Sequence, residues 1–214
     1  MEKFNFGEKV VLTWSGGIDS TSLIPILIQE QGVEVFPIYV DWGITTKREI
    51  AVIRRYERIF RERYGNKLHD LFITDRCVIP PKNLQEFYTR EQVSKKGLPL
   101  RNSNFANLAA IYAHAMDINT VIVGSNKTDR FPDNSLEFWT AKQVELRIAL
   151  ERPNFQILPL LKIIDFGKKE SILYCYNLGI DLRYTWSCWG NAKQECGECP
   201  SCKSKMKAYQ EAGI

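Results

Sequence analysis

Two stretches of this 214-residue chain bring together residue types that can do chemistry. The first is Ser15-Gly16-Gly17-Ile18-Asp19-Ser20. Two glycines allow a tight turn and a close approach of backbone to a ligand, and amides at the start of a following helix point outward with the positive end of the helix dipole behind them. Such a turn suits an anion, and phosphate is the natural candidate. The plain alternative is an ordinary strand-to-helix turn in which Asp19 or Ser20 caps the helix. The second stretch is Cys188-x7-Cys196-x2-Cys199-x2-Cys202, with Gly190 and Gly197 easing the turns. Four thiolates suit tetrahedral zinc, which stabilises a segment too short to hold its own core. An iron-sulfur cluster, or redox or sulfur-transfer use of paired cysteines, is the competing chemistry. If all four are ligands, none is left to react.

The elements that must position these residues alternate along the chain. Val10 to Trp14 reads as a buried strand and Thr21 to Gln31 as the first helix. Val33 to Val40 is a second strand, leaving through Asp41-Trp42-Gly43. Residues 46 to 64 carry Ile50, Ile53, Tyr56 and Phe60 at helical spacing, with basic residues on the other faces. Leu71 to Ile73 is a third strand, followed by a prolyl turn at Pro80-Pro81 and a stretch from Asn83 to Lys96 read as part helix or flap. A helix capped by Asn102 or Ser103 is expected to bury Phe105, Leu108, Ile111, Tyr112, Ala115 and Met116. Thr120 to Val123 is a fourth strand, with Gly124 to Asp129 as a polar loop at its end, where ligands of open α/β sheets sit. Residues 135 to 150 form a helix, Gln156 to Leu158 a fifth strand, and Gly167 to Leu178 another helix. The order predicts an α/β fold: an open, mostly parallel five-stranded sheet flanked by helices, with a C-terminal zinc knuckle and helix.

Composition bounds the function. A hydrophobic content of 44% supports a packed core, and a net charge of +4 without a long basic run permits nucleic-acid binding but does not require it. No apolar stretch reaches membrane-spanning length and Met1 to Gly7 lacks a signal core, so the expected location is cytoplasmic. Of six cysteines, Cys77 and Cys175 stand apart and read as small core residues. His69 and His114 have no neighbours in sequence that make a metal pair. The expected division is residues 1–180 for the sheet domain and 181–214 for a zinc-binding segment packed on it.

The loop matches neither Gly-x-x-x-x-Gly-Lys-Ser/Thr nor Gly-x-Gly-x-x-Gly. Trp14 to Thr21 instead resembles the pyrophosphate-binding loop of N-type ATP pyrophosphatases, the PP-loop enzymes. Taken with Leu98-Pro99-Leu100-Arg101-Asn102, Gly124 to Asp129, Phe131-Pro132-Asp133, Leu158-Pro159-Leu160, Lys168-Lys169-Glu170, Thr185-Trp186-Ser187-Cys188 and Cys196 to Cys202, in that order, the chain resembles the 7-cyano-7-deazaguanine synthase family from about Lys9 to Gly213. The resemblance implies an adenine nucleotide alpha hydrolase-like fold and conversion of 7-carboxy-7-deazaguanine and ammonia to the nitrile, for queuosine or other deazaguanine biosynthesis. ATP would be cleaved to AMP and pyrophosphate through adenylated acid and amide intermediates. It implies ATP, Mg2+ and Zn2+ as cofactors and a homodimer. Trp14, Ser15, Gly16, Gly17, Ile18, Asp19, Ser20, Thr21, Ser22, Leu23 and Ile24 would form the nucleotide site. Asp19, Arg101, Lys127 and Lys168 are the candidate catalytic residues, and Arg101, Asn102, Asp129 and Asp133 the candidate substrate contacts. Taken singly, each of these polar residues also reads as a helix cap, surface charge or internal ion pair. Cys188, Cys196, Cys199 and Cys202 would hold the zinc.

Two segments depart from the family pattern. Gly43 to Glu49 stands where a Gln-Arg-His-type segment is usual, and Phe131-Pro132-Asp133-Asn134-Ser135 where Tyr-Pro-Asp-Cys-Arg is usual. Both lie on the expected base side of the site, and Arg130 is the nearest compensating cation. The alternatives are a divergent member that adenylates a deazapurine acid for transfer to a protein or other amine, and a tRNA-modifying PP-loop enzyme.

Overall fold

The computed structural model describes residues 2–43, 46–76, 98–190 and 194–214. The strands are β1 (Lys9–Thr13), β2 (Glu34–Tyr39), β3 (Phe72–Ile73), β4 (Thr120–Ile122) and β5 (Gln156–Leu158). They form one sheet in the order β3-β2-β1-β4-β5, and every neighbouring pair is parallel. The helices are α1 (Ile18–Pro25), α2 (Thr46–Tyr64), α3 (Arg101–Ala115), α4 (Leu136–Ala149), α5 (Leu160–Ile163), α6 (Lys168–Asn177) and α7 (Pro200–Ala212). The expected α/β sheet is therefore the one the chain forms. Alternate residues of β1 feed two cores. Val10 and Leu12 pack with Leu23, Ile24, Tyr56, Phe60, Ile172 and Ala208, under α1, α2, α6 and α7. Val11 packs with Ala106, Ala110, Trp139 and Leu146, under α3 and α4.

Two helices differ from their sequence reading. The first starts at Ile18, three residues before Thr21, because Gly17 (φ −78°, ψ 168°) is its N-cap and no side chain closes it. Pro25 sits at its end and has no N–H to donate, and the chain continues as a π-helical turn, Ile26–Gln31, that stops at Gly32 with φ +80°. The second correction concerns α3. Its N-cap is Leu100 at φ 59°, not Asn102 or Ser103, and its buried face is Ala106, Ala109, Ala110 and Ala113. Ile111 is 61% exposed and Met116 44%. Large apolar residues at helical spacing marked the wrong stripe, since a helix lying close against β1 and β4 presents its smallest side chains to the sheet. Cys77, the prolyl turn at 80–81 and the stretch 83–96 lie outside the described residues.

The strand order reverses between β1 and β4, and in open α/β sheets the ligand crevice lies at that switch point, beyond the carboxyl ends of the strands. The loop after β1 and the loop after β4 meet there. A Cβ on Gly124 would lie 3.1 Å from the backbone nitrogen of Ser20 and 3.2 Å from its Cα. Backbone atoms cannot swing away, so Gly124→Ala is expected to destabilise the fold by about 1–3 kcal/mol. A lower urea midpoint at unchanged slope would report it.

Candidate active site

The loop after β1 is braced from within. Ser15 donates its N–H to Ser20 Oγ (3.2 Å), the Ser15 and Ser20 hydroxyls are 3.1 Å apart, and Trp14 Nε1 donates to Thr21 Oγ1 (3.1 Å). The first helical bond runs from Thr21 N–H to Gly17 O (3.0 Å), which leaves the amides of Ile18, Asp19 and Ser20 without a helical acceptor. Neither Asp19 nor Ser20 caps the helix; its N-cap is Gly17. Thr21, Ser22, Leu23 and Ile24 are fully buried and present no side-chain surface, whereas Ser15, Gly17 and Asp19 reach the crevice. Gly16 needs its glycine for the fold: φ is +76° and a Cβ would meet Glu49 O and Ile53 at 3.2 Å. Gly17 does not. Its φ is ordinary and a Cβ would make only ordinary contacts, with Ser15 Oγ at 3.5 Å and the Trp186 carbonyl at 3.6 Å, so the fold itself does not require a glycine there.

Lys168, at the start of α6, donates to Asp19 Oδ2 at 3.0 Å. Burial draws the ammonium pKa down, but the charges of Asp19 and Asp129 and the hydrogen bond to Asp19 outweigh it and hold the pKa above the ordinary lysine value. Asp129 lies in the loop after β4. Burial and the negative charge of Asp19 push its pKa up, against Lys168 and the Asn126 N–H. Its Oδ2 accepts from Asn126 N–H (3.1 Å) and Asn134 Nδ2 (3.0 Å), and Asn134 Oδ1 in turn accepts from Trp139 Nε1 (3.2 Å). Lys162 holds the Asp129 carbonyl at 3.0 Å.

Arg101 opens α3 with its guanidinium carbon 5.6 Å from the Trp42 ring and 5.8 Å from Phe105. Burial lowers its pKa, opposed by Asp133, Glu49 and Asp129. Asn102 and Asp133 hold each other: Asn102 N–H donates to Asp133 Oδ2 and Asn102 Nδ2 to the Asp133 carbonyl, both at 3.1 Å. That pair anchors the helix start that carries Arg101. Lys127, expected among the catalytic cations, is engaged by Glu170 (3.0 Å) and Asp165 (3.4 Å), where it ties the β4 loop to α6. Four of the seven buried side-chain polar atoms without a partner among the described residues belong to this region: Asp19 Oδ1, Arg101 Nε, Ser125 Oγ and Asn126 Nδ2. Buried polar atoms are normally satisfied, so this crevice has hydrogen-bonding capacity left for a ligand.

The four cysteine sulfurs lie within 4.8 Å of one another. Tetrahedral zinc with bonds of about 2.3 Å sets sulfurs about 3.8 Å apart, and the Cys196 and Cys202 sulfurs are 4.0 Å apart. Amides of Gly190 and Cys196 point at Cys188 Sγ, that of Cys199 at Cys196 Sγ, and that of Cys202 at Cys199 Sγ. Donors from Cys199 and Glu198 pull the Cys196 thiol down to about 7. The cluster is built to hold thiolates on a metal. Cys175 is a buried core thiol, pushed up to about 12 by burial. His69 instead pairs with Glu34 (2.9 Å) and stacks on Phe36, and His114 is exposed.

Four contributors had no signature in the sequence: Asn134, Lys162, the Trp186 backbone and Lys205. Trp186 N–H donates to Gly16 O (3.1 Å), so the segment before the knuckle lies on the loop. Lys205 of α7, buried, donates to the carbonyls of Arg183 (3.1 Å) and Thr185 (2.6 Å) and to Glu195 Oε2 (3.0 Å). Such bonds are long-range and mostly to backbone, which any residue supplies. Only the burial of a lysine would have hinted at one.

A family model described as "Queuosine biosynthesis protein QueC" matches residues 9–213. The chain belongs to the QueC family. Curated relatives are 7-cyano-7-deazaguanine synthases: that of Thermoplasma acidophilum is 29% identical, over 96% of this chain and 89% of the relative, and that of Thermoplasma volcanium 27%, over 97% and 88%. The Oceanobacillus iheyensis synthase is 26% identical over 97% of this chain and 96% of its own. Among solved structures, a 4-thiouridine synthetase in complex with RNA and bound ATP aligns with a TM-score of 0.57 at 20% identity, over 97% of this chain. The chain spans about half of that structure's length (51%), and the likeness is one of fold. The QueC assignment agrees with the PP-loop and four-cysteine patterns, and with an enzyme of the synthase kind.

Lys205 is the QueC-chain residue whose loss should be felt farthest from its own position. Lys205→Met is expected to cost about 3 kcal/mol, the scale of breaking a buried ion pair from one side. Hydrogen exchange should then speed up at Trp186 and in the Gly16 loop while metal content stays unchanged.

Proposed function

We propose that the protein is an ATP-dependent 7-cyano-7-deazaguanine synthase. It joins 7-carboxy-7-deazaguanine with ammonia and, using two ATP, releases the nitrile, two AMP and two pyrophosphates. The observation that carries this reading is the glycine turn at the switch point, whose amides at residues 18–20 lack a helical acceptor. A carboxylate is a poor electrophile. The first adenylation turns its oxygen into a leaving group that ammonia displaces, and the second activates the amide oxygen for dehydration. The residues position reactants and stabilise charge on the departing pyrophosphate. Ser15, Ser20 and the loop amides hold the phosphates, Lys168 and Arg101 supply positive charge, and Asp19 with Asp129 would hold Mg2+. Asp129 borders the acid, and Arg101, Asn102 and Asp133 frame that side of the crevice, Asn102 and Asp133 by holding each other. The four-cysteine centre, as zinc, is scaffold with no open position for substrate. No described helix is long and apolar enough to cross a membrane, in keeping with a cytoplasmic enzyme. A homodimer is the assembly that the family resemblance implies.

The altered segment Phe131–Ser135 favours one second reading, transfer of the activated acid to a protein or other amine. Purified protein with ATP, Mg2+, ammonium and 7-carboxy-7-deazaguanine is expected to form AMP and a product of the nitrile's mass. Background-level product would overturn the proposal, and a mass addition on an amine acceptor would establish the second reading. Gly17→Ala should keep its thermal midpoint, since an N-cap glycine and alanine differ by at most about 1 kcal/mol. It should nevertheless bind ATP at least about tenfold more weakly, a loss of about 1.4 kcal/mol.

A further inference from the structure

We propose that the cleft between the β4 loop and the metal knuckle is the recognition site for the planar aromatic acid, with Trp189 stacking on its rings and Arg130 pairing with its negative edge. The inference rests on the proposed synthase reading and assigns the acid's specificity to residues outside the phosphate cradle.

The cleft measures about 330 Å³, within the range of small-molecule pockets, about 300–1,000 Å³. One wall comes from the β4 loop, with Asp129 and Arg130; the other comes from the knuckle and the first turns of α7, with Trp189, Ser201 and Ser204. Lys168 lines it as well, 3.0 Å from the Asp19 carboxylate of the phosphate loop. A ligand seated there lies next to the phosphates that the loop would hold, as an acid about to be adenylated must.

Four features fit a flat carboxylate. The Trp189 ring is 38% exposed in a chain whose Trp14 and Trp139 are buried. An open indole beside a cleft offers a stacking face. Arg130 is exposed and, among the described residues, makes no ion pair, whereas Arg54, Arg61, Arg152 and Arg183 all do. Its fork is therefore available for a carboxylate or carbonyl edge. The one acidic group on the wall, Asp129, has Oδ2 taken by Asn126 N–H and Asn134 Nδ2, and Lys168 is paired with Asp19, so Arg130 is the cation of the lining left for a ligand's negative edge. Ser201 and Ser204, one turn apart on α7, supply hydroxyls that both donate and accept, as an edge carrying amide and amine groups requires.

The test uses full-length, metal-loaded protein. Binding of 7-carboxy-7-deazaguanine is measured by calorimetry, and the KM values for acid and ATP by AMP release, for wild type, Arg130→Gln, Trp189→Ala and Trp189→Phe. Arg130→Gln and Trp189→Ala are expected to weaken acid binding and raise its KM at least tenfold. The KM for ATP should stay within twofold and metal content should not change, and Trp189→Phe should recover most of the affinity. Because Trp189 adjoins a metal ligand, Arg130→Gln is the variant that decides if Trp189→Ala loses metal. Unchanged acid binding in Arg130→Gln, or a parallel rise in the KM for ATP, overturns the inference. Acid bound by wild type and lost in the variants without AMP release would uphold the site and overturn the synthase reading. Failure of wild type to bind the acid at millimolar concentration overturns both.

Discussion

The carbonyl of Gly16 accepts the amide of Trp186, and through that bond the two ends of the chain become one site. Gly16 is held from three sides. Its φ of +76° aims the carbonyl, α2 lies so close that no Cβ fits, and the segment ahead of the knuckle supplies the donor. Such restraint keeps the loop amides in a fixed orientation, and preorganised dipoles can stabilise a charge without reorganising. The metal cluster is then part of that restraint. Cys188 follows Trp186 by two residues, Trp186 Nε1 donates to the Cys188 carbonyl at 2.9 Å, and Lys205 clamps the carbonyls just before it.

The electrostatics of the crevice follow from the same crowding. Two carboxylates, Asp19 and Asp129, share Lys168 in a region withdrawn from water, and the Asp129 pKa is raised first by burial and then by the charge of Asp19, against Lys168 and Lys162. An ion pair this sheltered gains little for folding, because desolvation offsets much of its attraction. What it leaves is spare accepting capacity: Asp19 Oδ1 is buried without a donor among the described residues. The stability of the domain rests instead on its two apolar cores, and the alanine face of α3 lets one of them close tightly over β1 and β4.

How much of this was legible in the sequence depended on whether a feature is local. β5 falls on Gln156–Leu158, as its apolar run indicates, and the strand-turn-helix at residues 10–20 is visible in residue types alone. The cysteine spacing predicts sulfurs that converge, and they do. Helix faces were harder. In α3, periodicity selects Ile111 and Met116, yet close approach to the sheet selects alanines, and the larger residues are left outside. Burial of a small face carries almost no hydrophobic signal. The same holds for Leu100, whose left-handed φ no sequence rule would assign to a leucine.

The departures from the family pattern acquire a physical meaning once Asn134 and Ser135 are located. Ser135 is the N-cap of α4, its hydroxyl accepting from Phe138 N–H at 3.0 Å, and Asn134 bridges Trp139 to Asp129. Both residues are thus spent on holding the β4 loop and the start of α4, and neither is left over to contact a ligand. Under the proposed reading, recognition of the acid falls to side chains that the local network does not consume. In the cleft those are Arg130, on the wall of the β4 loop, and Trp189, on the wall of the knuckle. Arg130, in the loop ahead of that helix start, lines the cleft and takes no part in the bonds that hold Asp129, so a positive charge there is compatible with the network that the altered motif builds.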